Sequence, residues 1–239
     1  MKTALITGAS GGIGAAIAAA LAKDGFLPVL HYCSHGEGME EMAQKLGGFA
    51  VQADLGDVTS IEAMAETVLS RTGRVDVLVN NAAFSLSGLL TDISPLQRRR
   101  LFDVNVLGTI ECTRVFLPQM VHRKSGCILN ISSMWGQVGA SCEVDYSAGK
   151  AAVIGFTKAL AQEVAPSGIR VNCIAPGVIR TPMLDCYDAK TLDSLAQETP
   201  LGRLGTPEDI AKAAVFLCGE NADFITGQVL GVNGGFVMG

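Results

Sequence analysis

The chain has 239 residues, 49% of them hydrophobic, enough for one large α/β domain or two small ones with a core covered on both sides. Its formal net charge of -5 gives a nucleic-acid partner no global support, and seven cysteines without a Cys-x-x-Cys pair argue for reduced thiols rather than a disulfide framework. His31, His35 and His122 lack metal-ligand spacing, no stretch reaches the roughly 20 apolar residues of a membrane span, and the N-terminus has no signal-peptide pattern. A cytoplasmic protein without a metal is expected.

Short β-branched runs alternate with longer helical ones along the chain. A strand is expected over 3–7 and a helix over 12–23, then strand 27–32, helix 39–46, strand 49–54 and helix 60–71. Strand 75–80 leads to a long helix over 95–121, followed by strand 127–131, helix 145–164, strand 170–174, helix 207–217 and strand 229–232. This alternation predicts a parallel sheet wrapped by right-handed crossovers. Continuous apolar runs such as Val77-Leu78-Val79 suit strands buried on both faces. The expected architecture is a single, doubly wound (Rossmann) α/β domain over 1–239, with a mainly seven-stranded parallel sheet and helices on both faces. The irregular stretch 177–200 reads as a substrate lid around 178–200, or as a surface excursion with a short helix over 191–198.

The first strand runs into Thr7-Gly8-Ala9-Ser10-Gly11-Gly12-Ile13-Gly14 and then an alanine-rich helix. Gly8 permits a tight turn, Gly12 lets backbone approach a pyrophosphate, and Gly14 allows close packing of the helix. The helix N-terminus offers unpaired N–H groups and a positive dipole end. Gly8, Ser10, Gly11, Gly12, Ile13 and Gly14 are therefore the expected phosphate-binding residues.

Thr-Gly-x-x-x-Gly-x-Gly resembles the fingerprint of the short-chain dehydrogenase/reductase family, and the rest of the chain follows that family in order. Asp54-Leu55 resembles its adenine-contacting position, and Asn80-Asn81-Ala82-Ala83 its Asn-Asn-Ala-Gly motif, with Ala83 in place of glycine. Pro176-Gly177, Ile179 and Thr181 resemble the segment that contacts the nicotinamide, and Val232-Asn233-Gly234-Gly235 the closing motif. The resemblance implies a nicotinamide cofactor contacted by Asp54, Leu55, Asn81, Ala82 and Ala83. The expected end of strand two reads His31-Tyr32-Cys33-Ser34-His35, with no carboxylate before Glu37 to repel a 2′-phosphate. Cys33 and Ser34 are expected cofactor contacts, and Ser34 and His35 offer donors. Gly11 stands where NADP-preferring relatives often carry a cation, and the balance favours NADP(H) over NAD(H).

Tyr146 and Lys150 are spaced i and i+4 on one helix face, and Ser133 lies thirteen residues earlier at the end of the fifth strand. With Asn105 they complete the family's Asn-Ser-Tyr-Lys set. A carbonyl receiving hydride needs a proton and hydrogen bonds at its oxygen, so Tyr146 is the expected acid. A cation should lower the pKa of a neighbouring phenol, the role expected of Lys150. The resemblance adds ribose contact by Lys150, substrate positioning by Ser133 and a water held by Asn105.

Within the family the chain most resembles 3-oxoacyl-[acyl-carrier-protein] reductases, through Pro200-Leu201-Gly202-Arg203-Leu204-Gly205 and Ile225-Thr226-Gly227. Of their two basic carrier-docking positions, one corresponds to Lys124, beside Arg123, and the other to the uncharged Ser167. Ser133-Met134-Trp135-Gly136 through Val144 also resembles the reductases that finish a 5-aminopentanone modification on elongation factor P. Trp135 reads as core packing or pocket wall, and Glu143 as a partner for an amine or a solvated side chain. A non-catalytic dinucleotide sensor is the remote alternative, opposed by the presence of both Tyr146 and Lys150. Arg98-Arg99-Arg100 spreads around a helix and reads as a solvated face or subunit contact. The resemblance implies a homotetramer built on the two long helices.

Overall fold

The computed structural model describes residues 1–34, 36–185 and 187–238, the Met183 side chain excepted. His35 and Cys186 therefore lie outside the described residues. Seven strands form one all-parallel sheet: β1 (Thr3–Ile6), β2 (Leu27–Tyr32), β3 (Phe49–Gln52), β4 (Val77–Asn80), β5 (Gly126–Ile131), β6 (Ile169–Pro176) and β7 (Val229–Val232). Their order is β3-β2-β1-β4-β5-β6-β7, so the chain reverses direction of winding between β1 and β4. The expected doubly wound, seven-stranded sheet is the fold. All four residues of β1 and of β4 are buried, as a strand covered on both faces requires.

On one face, α1 (Gly12–Lys23) and α9 (Pro207–Cys218) pack Ile17, Leu21, Ile210 and Leu217 over Ile6, Val79 and Leu129. On the other, α3 (Val58–Thr72), α5 (Gly108–Arg123) and α7 (Val144–Val164) pack Ile61, Val68, Phe116, Met120 and Leu160 over Leu5, Leu78 and Ile128. The remaining helices are α2 (Met39–Lys45), α4 (Pro95–Phe102), α6 (Trp135–Val138) and α8 (Ala189–Glu198). Local chemistry sets several starts. Asp57 caps α3 by accepting from the Thr59 N–H, and Ser94 and Thr206 form capping boxes with Gln97 and Asp209, each followed by proline at the first helical position. The Asp57 cap explains why α3 begins two residues before the apolar pattern suggested.

The continuous helix expected over 95–121 is interrupted. Asp103–Leu107 forms a π-helical turn between α4 and α5. Such a turn adds a residue locally and often marks a functional site. Asn105 occupies it, buried, with its amide clamped on Phe84: Nδ2 donates to the Phe84 carbonyl at 2.8 Å, and Oδ1 accepts from the Phe84 N–H at 3.1 Å. Periodicity registers helix but not this widening. The short α6 was also not anticipated. Within 178–200 the structure holds a 3₁₀ turn at Pro182–Leu184 and α8, two residues longer than the expected helix. Among the described residues, no helix is long and apolar enough to cross a membrane, and no cluster of metal-ligating side chains occurs.

Candidate active site

The C-terminal edge of the parallel sheet collects nearly every candidate residue. At its centre the turn after β1 is stitched to the loop after β4. The Thr7 hydroxyl accepts from the Asn81 and Ala82 N–H groups at 2.9 and 3.0 Å, and Asn81 Nδ2 donates to the carbonyls of Thr7 and Gly8. Gly8 adopts φ +64°, and a Cβ there would lie 2.7 Å from the Ala82 Cα, so this approach admits only glycine. A Cβ at Gly14 would come within 2.2 Å of the Gly8 carbonyl oxygen, so Gly14 fits α1 against the turn itself.

His31 ties the same turn from the other side. Its Nδ1 accepts from the Gly8 N–H at 3.1 Å, which leaves Nε2 to donate to the Ala53 carbonyl at 3.0 Å. Burial holds its pKa down at about 4, so the ring is neutral in the folded protein. Sequence reading had treated His31 only as a β2 residue without a carboxylate. The missed signal is an imidazole directly after the buried apolar run Val29-Leu30 of β2.

Beyond the glycine turn, Thr181 lies against Gly12, its Cγ2 3.1 Å from the position of a Cβ there. The segment reaching it leaves β6 at Pro176, passes Gly177, which a Cβ would drive into Asn233, and pairs Ile179 with Gly205. Cys33 and Ser34 follow β2 and are exposed, beside Asp54 and Leu55 after β3. Asp54 accepts both of its bonds to Arg100 from one guanidinium nitrogen, at 2.7 and 2.9 Å.

The catalytic candidates lie one to two strands away. Ser133 follows β5, and its Oγ accepts from the Trp135 N–H at 3.2 Å and hydrogen-bonds Tyr146. Tyr146 and Lys150 project from one face of α7, with the ammonium 5.7 Å from the tyrosine ring centroid. Lys150 Nζ donates to the Ile131 carbonyl at 2.8 Å, and burial pulls its pKa down to about 8. Burial pushes the Tyr146 phenol up to about 12, with the Glu143 carboxylate adding to the rise and the Ser133 hydrogen bond offsetting part of it. The expected lowering of the phenol by Lys150 is therefore not found, because desolvation dominates and the ammonium is turned to the β5 backbone.

Gly136 completes the packing here. A Cβ on it would meet the Lys150 carbonyl carbon at 2.7 Å and Ser132 Oγ at 2.8 Å, so α6 can rest on α7 only through a glycine. Trp135 is half-buried and stacks edge-on against Phe236 at 5.7 Å, so it belongs to the rim rather than the core. Glu143 is not simply solvated. It accepts from the Ser87 hydroxyl at 3.2 Å, and its desolvated carboxylate sits close enough to raise Tyr146.

Arg123 and Lys124 lie elsewhere. Lys124 ends α5 just before β5, whereas Ser133 follows that six-residue strand, so the two are roughly 20 Å apart at about 3.3 Å per residue. Arg123 is occupied with the carbonyls of Val75, Gln119 and Ser125. The basic pair matched to a carrier-docking position is thus at the opposite edge of the sheet from Ser133. The three arginines of α4 also part company: Arg98 pairs with Asp145, Arg99 with Asp103 and Arg100 with Asp54.

Residues 8–237 match the family model described as enoyl-(acyl carrier protein) reductase. The chain belongs to the short-chain dehydrogenase/reductase family. It is 43% identical over 238 residues to the uncharacterized oxidoreductase YmfI of Bacillus subtilis, covering 98% of each chain. It is 39% identical over 242 residues to the 3-oxoacyl-[acyl-carrier-protein] reductase FabG of Staphylococcus aureus, covering 99% of this chain and 98% of that one. The corresponding Thermotoga maritima reductase is 36% identical over 242 residues, with the same coverage. Family membership makes the chain an oxidoreductase and implies a nicotinamide dinucleotide cofactor.

Proposed function

We propose that the protein is a cytoplasmic NADP(H)-dependent ketone reductase that converts a 3-oxoacyl thioester to its 3-hydroxy product, working as a homotetramer. The observation that carries this reading is the convergence of Ser133, Tyr146 and Lys150 at the sheet edge beside the glycine turn, in a chain similar along its length to 3-oxoacyl reductases.

The turn suits a dinucleotide. No side chain caps the N-terminus of α1, and the space around a Cβ at Gly11 is open, leaving backbone N–H groups for a pyrophosphate. Ser10, Gly11, Gly12 and Ile13 would hold the phosphates, Cys33, Ser34, Asp54 and Leu55 the adenosine, and Ala82, Ala83, Lys150 and the 176–181 segment the nicotinamide end. Asn81 keeps the turn in shape. Bound there, the cofactor supplies or accepts the hydride. Ser133 donates to the substrate oxygen and Tyr146 gives it a proton, beside the Lys150 cation. NADP(H) is favoured because neither residue directly after β2 is acidic. Exposed Leu96, Leu107 and Val144 near the long helices, and Phe224 before β7, supply apolar surface for subunit packing. Purified protein should reduce acetoacetyl thioesters with NADPH faster than with NADH. Turnover of free ketones alone would overturn the substrate assignment.

Glu143 favours a second reading. A carboxylate beside the acid, with no basic patch at this edge from Lys124, suits a ketone that carries an amine, such as 5-aminopentanone on elongation factor P. Under that reading Glu143→Gln costs at least tenfold in kcat/KM on an amine-bearing ketone and spares a neutral one.

A further inference from the structure

We propose that Arg100 determines cofactor choice by presenting its guanidinium to the adenosine 2′-phosphate, a role that rests on the dinucleotide reading above. In a doubly wound sheet the ligand lies across the strand ends at the switch point, here β1/β4, with its adenosine half over β1, β2 and β3. The register brings the ends of β2 and β3 together. Tyr32 pairs with Gln52, the Ala53 N–H donates to the Tyr32 carbonyl, and Gln52 Nε2 donates to the Cys33 carbonyl at 2.8 Å. Cys33 and Ser34 therefore lie beside Asp54.

That corner holds a carboxylate, and alone it would repel a phosphate. Arg100 arrives from α4, in a distant part of the sequence, and neutralises it. Both bonds to Asp54 come from Nη2, while Nη1 lies over Gly56. A Cβ at Gly56 would stand 1.9 Å from Nη1, so the bare glycine makes the bed on which the guanidinium lies. Its field reaches the β2 end: the Cys33 thiol is raised by burial first and Asp54 next, while Arg100 pulls it back. A guanidinium matches phosphate with several donors in a plane, and it keeps its charge at any physiological pH. Gly11 leaves the glycine turn without a cation, so the compensating charge comes from across the site.

The test compares wild type, Arg100→Gln, Gly56→Ala and Arg99→Gln. Two ratios are measured: kcat/KM for NADPH over NADH, and calorimetric affinity for adenosine 2′,5′-bisphosphate over 5′-AMP. Arg100→Gln should lower both about tenfold, the scale of one charge-assisted contact of about 1.4 kcal/mol. Gly56→Ala should move both ratios the same way, because its methyl displaces only the flexible end of Arg100. Arg99, paired with Asp103, serves as the charge control and should leave the ratios in place. Equal losses on both cofactors, or ratios within twofold of wild type, overturn the proposal. The wild-type ratio by itself judges the NADP(H) reading, whereas the change on substitution judges Arg100.

Discussion

Lys150 turns its ammonium to the Ile131 carbonyl, 2.8 Å away, while remaining 5.7 Å from the centroid of the Tyr146 ring. Two groups expected to work as a charge pair are thus arranged as neighbours, each perturbed mainly by burial. Burial drives their pKa values apart: the lysine falls to about 8 and the tyrosine rises to about 12.

Removing the phenol isolates the acid. Tyr146→Phe should retain dinucleotide binding, followed by cofactor fluorescence, while ketone reduction falls by roughly 10²–10⁴-fold. Turnover within threefold of wild type would remove Tyr146 from the chemistry.

The pH profile should report Lys150. Tyr146 stays protonated well past neutrality, so the acid is present throughout the working range. The cation disappears as pH rises through about 8, and kcat/KM for ketone reduction should fall above that point. A profile flat to pH 10 would contradict the assignment. Because the folded-state pKa lies below the unfolded one, the same group makes the protein gain stability as pH rises from about 8 toward 10.5.

His31 predicts a stability change at the acid side. Its pKa drops from 6.5 to about 4 on folding, so the neutral ring's full contribution is present above 6.5 and drains away as pH falls toward 4. At 1.36 kcal/mol per pKa unit the loss is roughly 3 kcal/mol. Urea unfolding at pH 7 and pH 4.5 should show it for wild type and a smaller difference for His31→Gln. Identical pH dependence in both proteins would exclude His31 as the source.

Ser34→Asp places a carboxylate at the end of β2. It should shift the NADPH/NADH preference at least tenfold toward NADH, measured as a ratio of kcat/KM values. A wild type already preferring NADH tenfold would refute the reading of this corner.

The sheet, its order of elements and the shared helix face of Tyr146 and Lys150 were legible because each depends on patterns a few residues long. Apolar runs mark β1 and β4, and the spacing of Tyr146 and Lys150 puts both on one helix face. What escaped depends on residues distant in sequence. The π-helical turn exists where Asn105 meets Phe84, and the need for Gly136 arises only where α6 meets α7. The Asp54–Arg100 pair links two positions whose separate readings were adenine contact and surface charge. Lys124 was matched by position to a docking residue, but position along α5 does not reveal that the helix ends at the far edge of the sheet.

The catalytic loop and the segment over the glycine turn hang from neighbouring strands. The Ser132 N–H donates to the Ile174 carbonyl at 2.8 Å, and the Met134 N–H to the Pro176 carbonyl at 2.9 Å. The distance between the Ser133 loop and the segment after Pro176 is therefore set by an interstrand spacing of about 4.8 Å, which loop exchange does not alter. Residues 182–200 depart only after that spacing is fixed. Under the proposed function they are the part of the chain that can be exchanged to admit ketones of other shapes without moving the residues that hold the reacting oxygen.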